Sequence, residues 1–483
     1  CLSFGVCMAD IIGIALIVAT ALIFALVGLL YTKGKKFTIE DYTTARRSVS
    51  LWTAVASLIA AAMGAWILFS PAEASVTNGI TALIGYSIGS ASAVFIFAWI
   101  GARIRGLMPE GHTITEYVFH RYGQWMYALV LLISVFYMSV FLAAELTGIS
   151  LAGKMVFNIP LAYTAFIVGI TTLAYTAIGG FKASIFTDRV QTIVIMPLIA
   201  IIFLSSLVFL GGFDKVIGQA NSINPNLFDF SYIPGIEFAL TLIIAIVGAE
   251  LFNQSNWQRV YSPKTMLTMR RSFLISGLLV AMIIFTVGFF GFFAVAHNAA
   301  ENPSAAMFTF LLEVAPHWVL LTAMVLGIAL VMSTSNALLN GLVSLFTIDL
   351  ARLKPKVSHK SLVGIGRWFT VVLAGLAILV STKGYSVLYL FLVADLVCVG
   401  AAFPVFYGMY AKRLSGKGAL LASTAGMLIG AYFFPNPDFT RGNLFWSFLA
   451  ALIASSIFSV FLGLFGKRFD FGILKKKVTA LSK

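Results

Sequence analysis

Charge is what this chain has least of. Only 10% of its 483 residues are Asp, Glu, Lys or Arg, while 60% are hydrophobic, and mean hydropathy is +0.98. Soluble domains carry about 25% charged residues, so a water-soluble globular fold is excluded. Cysteine is scarce too: Cys1, Cys7 and Cys398 are too few and too scattered for a metal centre or a disulfide framework. A Cys1–Cys7 pairing would need both residues to face an oxidising compartment. The five histidines, His112, His120, His297, His317 and His359, all fall in or near loops. With no Gly-rich phosphate loop and no metal-ligand spacing either, an enzyme is not expected.

What is present is a succession of long apolar runs. A run of about 20 apolar residues crosses the hydrocarbon core of a bilayer, and about thirteen such stretches can be marked. They lie near 10–31, 48–76, 80–102, 124–149, 158–178, 185–211, 235–256, 272–297, 317–347, 365–382, 385–410, 418–434 and 443–466. The expected class is an all-α polytopic membrane protein. The first run is too long for a cleavable signal core, and basic residues follow it rather than precede it, so it reads as a spanning helix. Of the 32 basic residues, 28 fall in alternate loops and the tail, leaving Lys154, Lys215, Lys383 and Arg441 on the other side. That asymmetry orients the chain with its N-terminus outside and its C-terminus in the cytoplasm. It accounts for the net charge of +14 without any nucleic acid. No obligate protein partner is evident.

The central stretch is Ala60-Ala61-Ala62-Met63-Gly64-Ala65-Trp66, small residues halfway across an apolar span. Such a stretch is either a close-packing face or a place where the helix unwinds and turns freed carbonyls toward a cavity or an ion. Thirteen spans with termini on opposite sides suggest one extra helix ahead of an even core. The chain then divides into 1–47, a five-helix half at 48–211, a second half at 235–411 starting from the opposite face, and two peripheral helices with a basic tail at 418–483. That is the arithmetic of a five-plus-five inverted repeat, with substrate bound between discontinuous first helices. The second half accordingly opens with a polar break, Gly248 and Glu250 followed by Asn253, Gln254 and Asn256.

Ionisable residues at membrane depth are functional candidates. Glu73 and Glu145 are expected near the outer ends of their helices, in the interface. Glu250 and Asp395 lie deeper, with a substrate or proton role weighed against a structural hydrogen bond. Asp188 follows a basic loop and is expected to start a helix, where a functional role is weighed against that of a simple dipole partner. Ser333-Thr334-Ser335-Asn336 sets four hydroxyl or amide side chains in a row within an apolar helix. A lone hydroxyl there means little, but four suggest a hydrated seam. Carbonyls of an unwound helix plus hydroxyls of a facing one supply the oxygen ligands a hard cation requires. Sodium fits that inventory, and potassium fits the same chemistry.

At these residues the chain resembles the solute:sodium symporter family. The resemblance runs through Tyr175-Thr176-Ala177-Ile178-Gly179-Gly180-Phe181-Lys182-Ala183 into Phe186-Thr187-Asp188-Arg189-Val190-Gln191, and through Asn253 to Arg259. It continues in Phe346-Thr347-Ile348-Asp349-Leu350 and in a late pattern of Gly408, Met409, Arg413, Gly418, Ala419, Ala422 and Gly426, where Thr424 departs from the expected apolar residue. The resemblance implies a leucine-transporter-like fold and alternating access. It implies a sodium ion held by the carbonyls of Ala60, Met63 and Leu330 and the hydroxyls of Ser333 and Thr334. A second sodium would use Asp188, Ser333 and Asn336, but Ala337 stands where another hydroxyl is expected. Met63 to Trp66 is similar to the proline-carrier branch, although Ala62 replaces its Asp. Gln254 to Arg259 resembles the urea and polyamine branch.

The expectation is a plasma-membrane symporter that imports a small polar solute with sodium, an amino acid such as proline leading. Substrate contacts are expected from Gly64, Ala65, Trp66, Tyr137, Gly248, Glu250, Asn253 and Asp395. The alternatives are a sodium- or proton-coupled urea, polyamine, sugar or sialic acid carrier, and a sensor module that keeps a transporter fold.

Overall fold

The computed structural model describes residues 2–35, 38–353, 359–436 and 441–478. Cys1, Lys36, Lys354, Lys356 and Lys483, which entered the cysteine and charge readings above, lie outside them. The described residues form helices joined by short turns and no strand; one isolated bridge pairs Val49 with Pro263. With no water in a bilayer core to satisfy N–H and C=O groups, a helix that closes its own hydrogen bonds is the form such runs must take.

Among the described residues, nine helices are long and apolar enough to cross a membrane, from Ile11–Thr32 to Leu444–Leu464. Three more apolar helices, Leu51–Ala62, Leu161–Ala177 and Val371–Ser381, are shorter. Leu51–Ala62 stops at an unwound segment, and the helix begun at Leu161 leaves helical geometry at Gly180. Gly180 has φ +59°, and the ring of Tyr42 occupies the space a Cβ would need, so only glycine fits there. Exposed side chains such as Leu132, Ile193, Val208, Leu428 and Ile457 form an apolar outer surface. Small and hydroxyl-bearing residues, among them Ala60, Ser57, Ser333 and Thr334, are buried inside. This inversion of the usual pattern is that of helices packed in lipid.

Two further breaks, each over several residues, shape the interior. The first interrupts a helix that runs Leu51–Ala62, breaks at Met63 and Gly64, passes through one tight turn at Ala65–Leu68, and resumes at Ser70. The second interrupts a helix that runs Ile233–Glu250, breaks over 251–253, and continues as Gln254–Tyr261, started by the Asn253 side chain accepting from Ser255 N–H at 3.1 Å. On one face the two broken helices are fastened together, because Ser48 N–H and Val49 N–H both donate to Ser262 O at 3.0 Å. Arg105 closes the same junction through Val260 O and Pro263 O.

Candidate functional site

The first break decides the geometry. In a continuous helix Gly64 N–H would donate to Ala60 O, but the extended backbone of Gly64 (φ −106°, ψ −176°) removes it from the ladder. The freed Ala60 carbonyl faces the helix His317–Leu353. There it accepts from Ser333 Oγ at 2.8 Å and Thr334 Oγ1 at 3.3 Å, both fully buried. Ala60, Ser333 and Thr334 are thus brought together as expected. Met63 and Leu330 are buried beside them, Met63 at the break itself. The Asp188 carboxylate lies 3.5 Å from Ser333 Oγ. One freed carbonyl, two hydroxyls and a nearby carboxylate are the oxygen donors a hard monovalent cation takes.

Asp188 and Asn336 do not meet. Asp188 does not start its helix as a dipole partner; it lies buried just past the Gly180 break. Its Oδ2 accepts from Arg259 Nη2 at 2.8 Å and Ser57 Oγ at 2.6 Å. The deep burial of both charges requires that pairing. Asn336 belongs to a separate network, donating to Ser184 Oγ at 2.9 Å and accepting from Thr176 and Asn340 at 2.8 Å each.

A cavity opens on the other side of the same break, with about 730 Å³ of atom-free space, part of it open to solvent. Met63 lines it together with Trp66, Tyr137, Glu250 and Asp395, four of the eight residues named as candidate substrate contacts. Gly64, Ala65 and Asn253 are not among its lining residues. Asn253 supports the wall by donating to Glu250 Oε2 at 3.1 Å. Gly248 departs from expectation: it packs against Val399, where it lets two helices approach closely. Trp66 stacks on Tyr86 at 5.7 Å and meets Phe391 edge-on at 5.8 Å; Phe391 in turn meets Phe141 at 4.8 Å. Tyr86, Phe141 and Phe391 were missed in the sequence, since an aromatic residue in an apolar run gives no sign of which way it faces.

Glu145 is the largest correction. It is not interfacial but fully buried, and its Oε2 accepts the Ala65 N–H at 2.7 Å. Unwinding at Gly64 frees that N–H, and a carboxylate from the helix Gln124–Phe157 takes it. A Cβ at position 64 would collide with this carboxylate, so a larger residue there would push Glu145 away from the Ala65 N–H. Glu73, expected near the outer end of its helix, lies in the first turn of the helix that resumes at Ser70, accepting from Ser304 at 2.7 Å and Ser386 at 3.4 Å.

Broken helices facing a hydroxyl-bearing one, with a cavity at the break, are the architecture of a membrane transporter, and the comparisons agree. The fold matches a sodium-coupled sialic acid symporter solved in a substrate-bound, outward-open state, with TM-score 0.77, 17% identity, and coverage of 95% of this chain and 99% of that one. The model of the sodium:solute symporter family matches residues 42–430, and the chain belongs to that family. A spermidine transporter of Candida albicans is 25% identical over 385 residues, covering 78% of this chain and 71% of its own length. A sodium/proline symporter of Haemophilus influenzae is 27% identical over 422 residues, covering 81% and 82% respectively. The protein is a multi-pass membrane transporter and not an enzyme.

Proposed function

We propose that this protein imports a small polar organic solute together with sodium. It would do so by alternating access of two inverted five-helix halves, 48–211 and 235–411, in a plasma membrane with the N-terminus outside. The observation that carries the reading is the Ala60 carbonyl, freed by the break and met by the Ser333 and Thr334 hydroxyls. These three residues, with Met63 and Leu330, would hold one sodium ion, whose charge would fasten the broken helix to His317–Leu353. A second sodium is not part of the proposal, because Arg259 already neutralises Asp188 and Asn336 is committed elsewhere.

The solute would occupy the cavity between Trp66, Tyr137, Glu250 and Asp395. The relatives are named for solutes as different as proline and spermidine, so the choice falls to the chemistry of the cavity itself. Asp395 has a buried Oδ1 without a hydrogen-bond partner, which also gives a proton-coupled carrier a concrete proton site. Uptake into proteoliposomes at fixed pH, with sodium replaced by potassium, separates the two. Sodium coupling predicts loss of accumulation on replacement. Accumulation that persists in potassium and follows an imposed pH gradient would transfer the driving force to the proton.

A further inference from the structure

The cavity that the proposed function assigns to the solute is acidic and aromatic, and no basic residue stands among its described lining. Among its described lining residues two are ionisable carboxylic acids, Glu250 and Asp395, and none is Lys, Arg or His. The buried arginine nearest in the network, Arg259, is held by Asp188 and Ser57. Glu250 is oriented by neutral donors only, Tyr137 Oη at 2.7 Å, Asn256 Nδ2 at 2.6 Å and Asn253 Nδ2 at 3.1 Å. Asp395 is 5% exposed, and its Oδ1 has no partner at all. Two buried carboxylates without a basic residue are costly as anions, and unless each takes up a proton an opposite charge must join them.

The rest of the wall points the same way. The row Trp66, Tyr86, Phe391 and Phe141 presents a continuous aromatic surface, and aromatic faces attract organic cations. An amino acid would also need a partner for its carboxylate. One N–H freed at the break, that of Ala65, is already taken by Glu145 Oε2.

We propose that the solute is an aliphatic diamine or polyamine: two ammonium groups matched to Glu250 and Asp395, with the methylene chain against the aromatic wall. Discrimination against amino acids then follows from the lack of Lys, Arg or His among the described lining residues. This rests on the transport reading above, and the test keeps the two separable.

The full chain in lipid nanodiscs is followed by thermal unfolding and titration calorimetry. The probes are putrescine, spermidine, butylamine, proline, glucose and urea, each in sodium chloride or potassium chloride; choline is avoided because it is itself an organic cation. Putrescine and spermidine are expected to bind and stabilise, butylamine to bind at least about 10-fold more weakly, and proline, glucose and urea to give no shift. Glu250→Gln and Asp395→Asn should each weaken putrescine binding about 10-fold or more, with the sodium-alone shift reporting that the variant is folded. Stabilisation by proline, glucose or urea without any by the amines overturns the proposal. So do undiminished amine affinity in both folded variants, and butylamine binding as tightly as putrescine. Amine binding that is identical in sodium and potassium removes the coupling ion and leaves the amine assignment standing. A sodium-alone shift with no amine response does the reverse.

Discussion

Ser333→Ala is the sharpest probe of the cation site, because it is expected to separate ion affinity from folding. The hydroxyl lies 2.8 Å from Ala60 O, and Thr334 Oγ1 remains 3.3 Å from the same carbonyl, so the carbonyl is not orphaned when Ser333 loses its oxygen. A neutral hydrogen bond contributes about 1 kcal/mol net, so the variant should unfold only slightly earlier. A hydroxyl that binds a charged partner is worth more, about 1.5–3 kcal/mol. At about 1.4 kcal/mol per tenfold, its loss raises the half-saturating sodium concentration about 10- to 100-fold. The assay needs no knowledge of the solute: a ligand that binds only the folded state raises the unfolding temperature with its concentration. Sodium titrations of the wild type and Ser333→Ala, read as unfolding temperature, give both midpoints. An unchanged sodium midpoint in a stably folded variant would refute the assignment. A lowered baseline stability with the midpoint unmoved would make Ser333 a packing residue.

Arg259→Met leaves Asp188 buried without its cation and should destabilise by about 3–5 kcal/mol, and Asp188→Asn in the same chain should recover much of that loss; a double variant as unstable as the single one would break the pair assignment. A loop cluster outside the membrane gives a pH prediction. Burial alone would raise the Glu40 carboxyl, but the hydrogen bond and charge of His112, with Arg46, outweigh it and bring it from 4.5 to about 2. Burial alone would lower His112, yet Glu116 and Glu40 raise it above 6.5. The Glu40 contribution is full above about pH 4.5 and is lost as pH falls toward 2. The His112 contribution is full below about pH 6.5 and is lost as pH rises through its elevated value. Thermal stability should therefore be highest between those limits, and Glu40→Gln should flatten the profile; an unchanged profile in that variant would exclude the cluster as its source.

The all-helical fold was legible because the hydrocarbon thickness fixes the length of an apolar run, and both breaks showed as small or polar residues where apolar ones belong. Ala60, Ser333 and Thr334 could be paired in advance by the family resemblance, whereas the row of hydroxyls alone pointed only to a hydrated seam. Glu145 could not. Its partner is a backbone N–H 80 residues away that exists only because the helix unwinds, and no periodicity records that. Asp188 and Arg259 each stand in a recognisable motif, but nothing local says that they neutralise one another across 71 residues. Gly248 was misread for a related reason: a glycine beside a polar break looks like part of a site, whereas it serves contact with Val399 on the neighbouring helix.

The cation site and the cavity share one short piece of backbone. Ala60 O faces Ser333 and Thr334, while Ala62, Met63 and Trp66, within the next six residues, form part of the cavity wall. Trp66 is also tied back across the break, its Nε1 donating to Ala62 O at 3.3 Å. A cation that fastens Ala60 to the facing helix therefore restricts the same residues that a solute must find in place, and a bound solute restricts the residues that carry Ala60. Coupling of this kind is reciprocal by thermodynamic necessity, and amounts typically to about 1–3 kcal/mol. Saturating solute should lower the sodium midpoint by the same factor, about 5- to 150-fold, by which saturating sodium lowers the solute midpoint. Titrating the two ligands in both orders measures the two factors independently. A factor of one in both directions would mean that the break at Met63 and Gly64 does not join the sites, and the ion would then have no route by which to drive the solute.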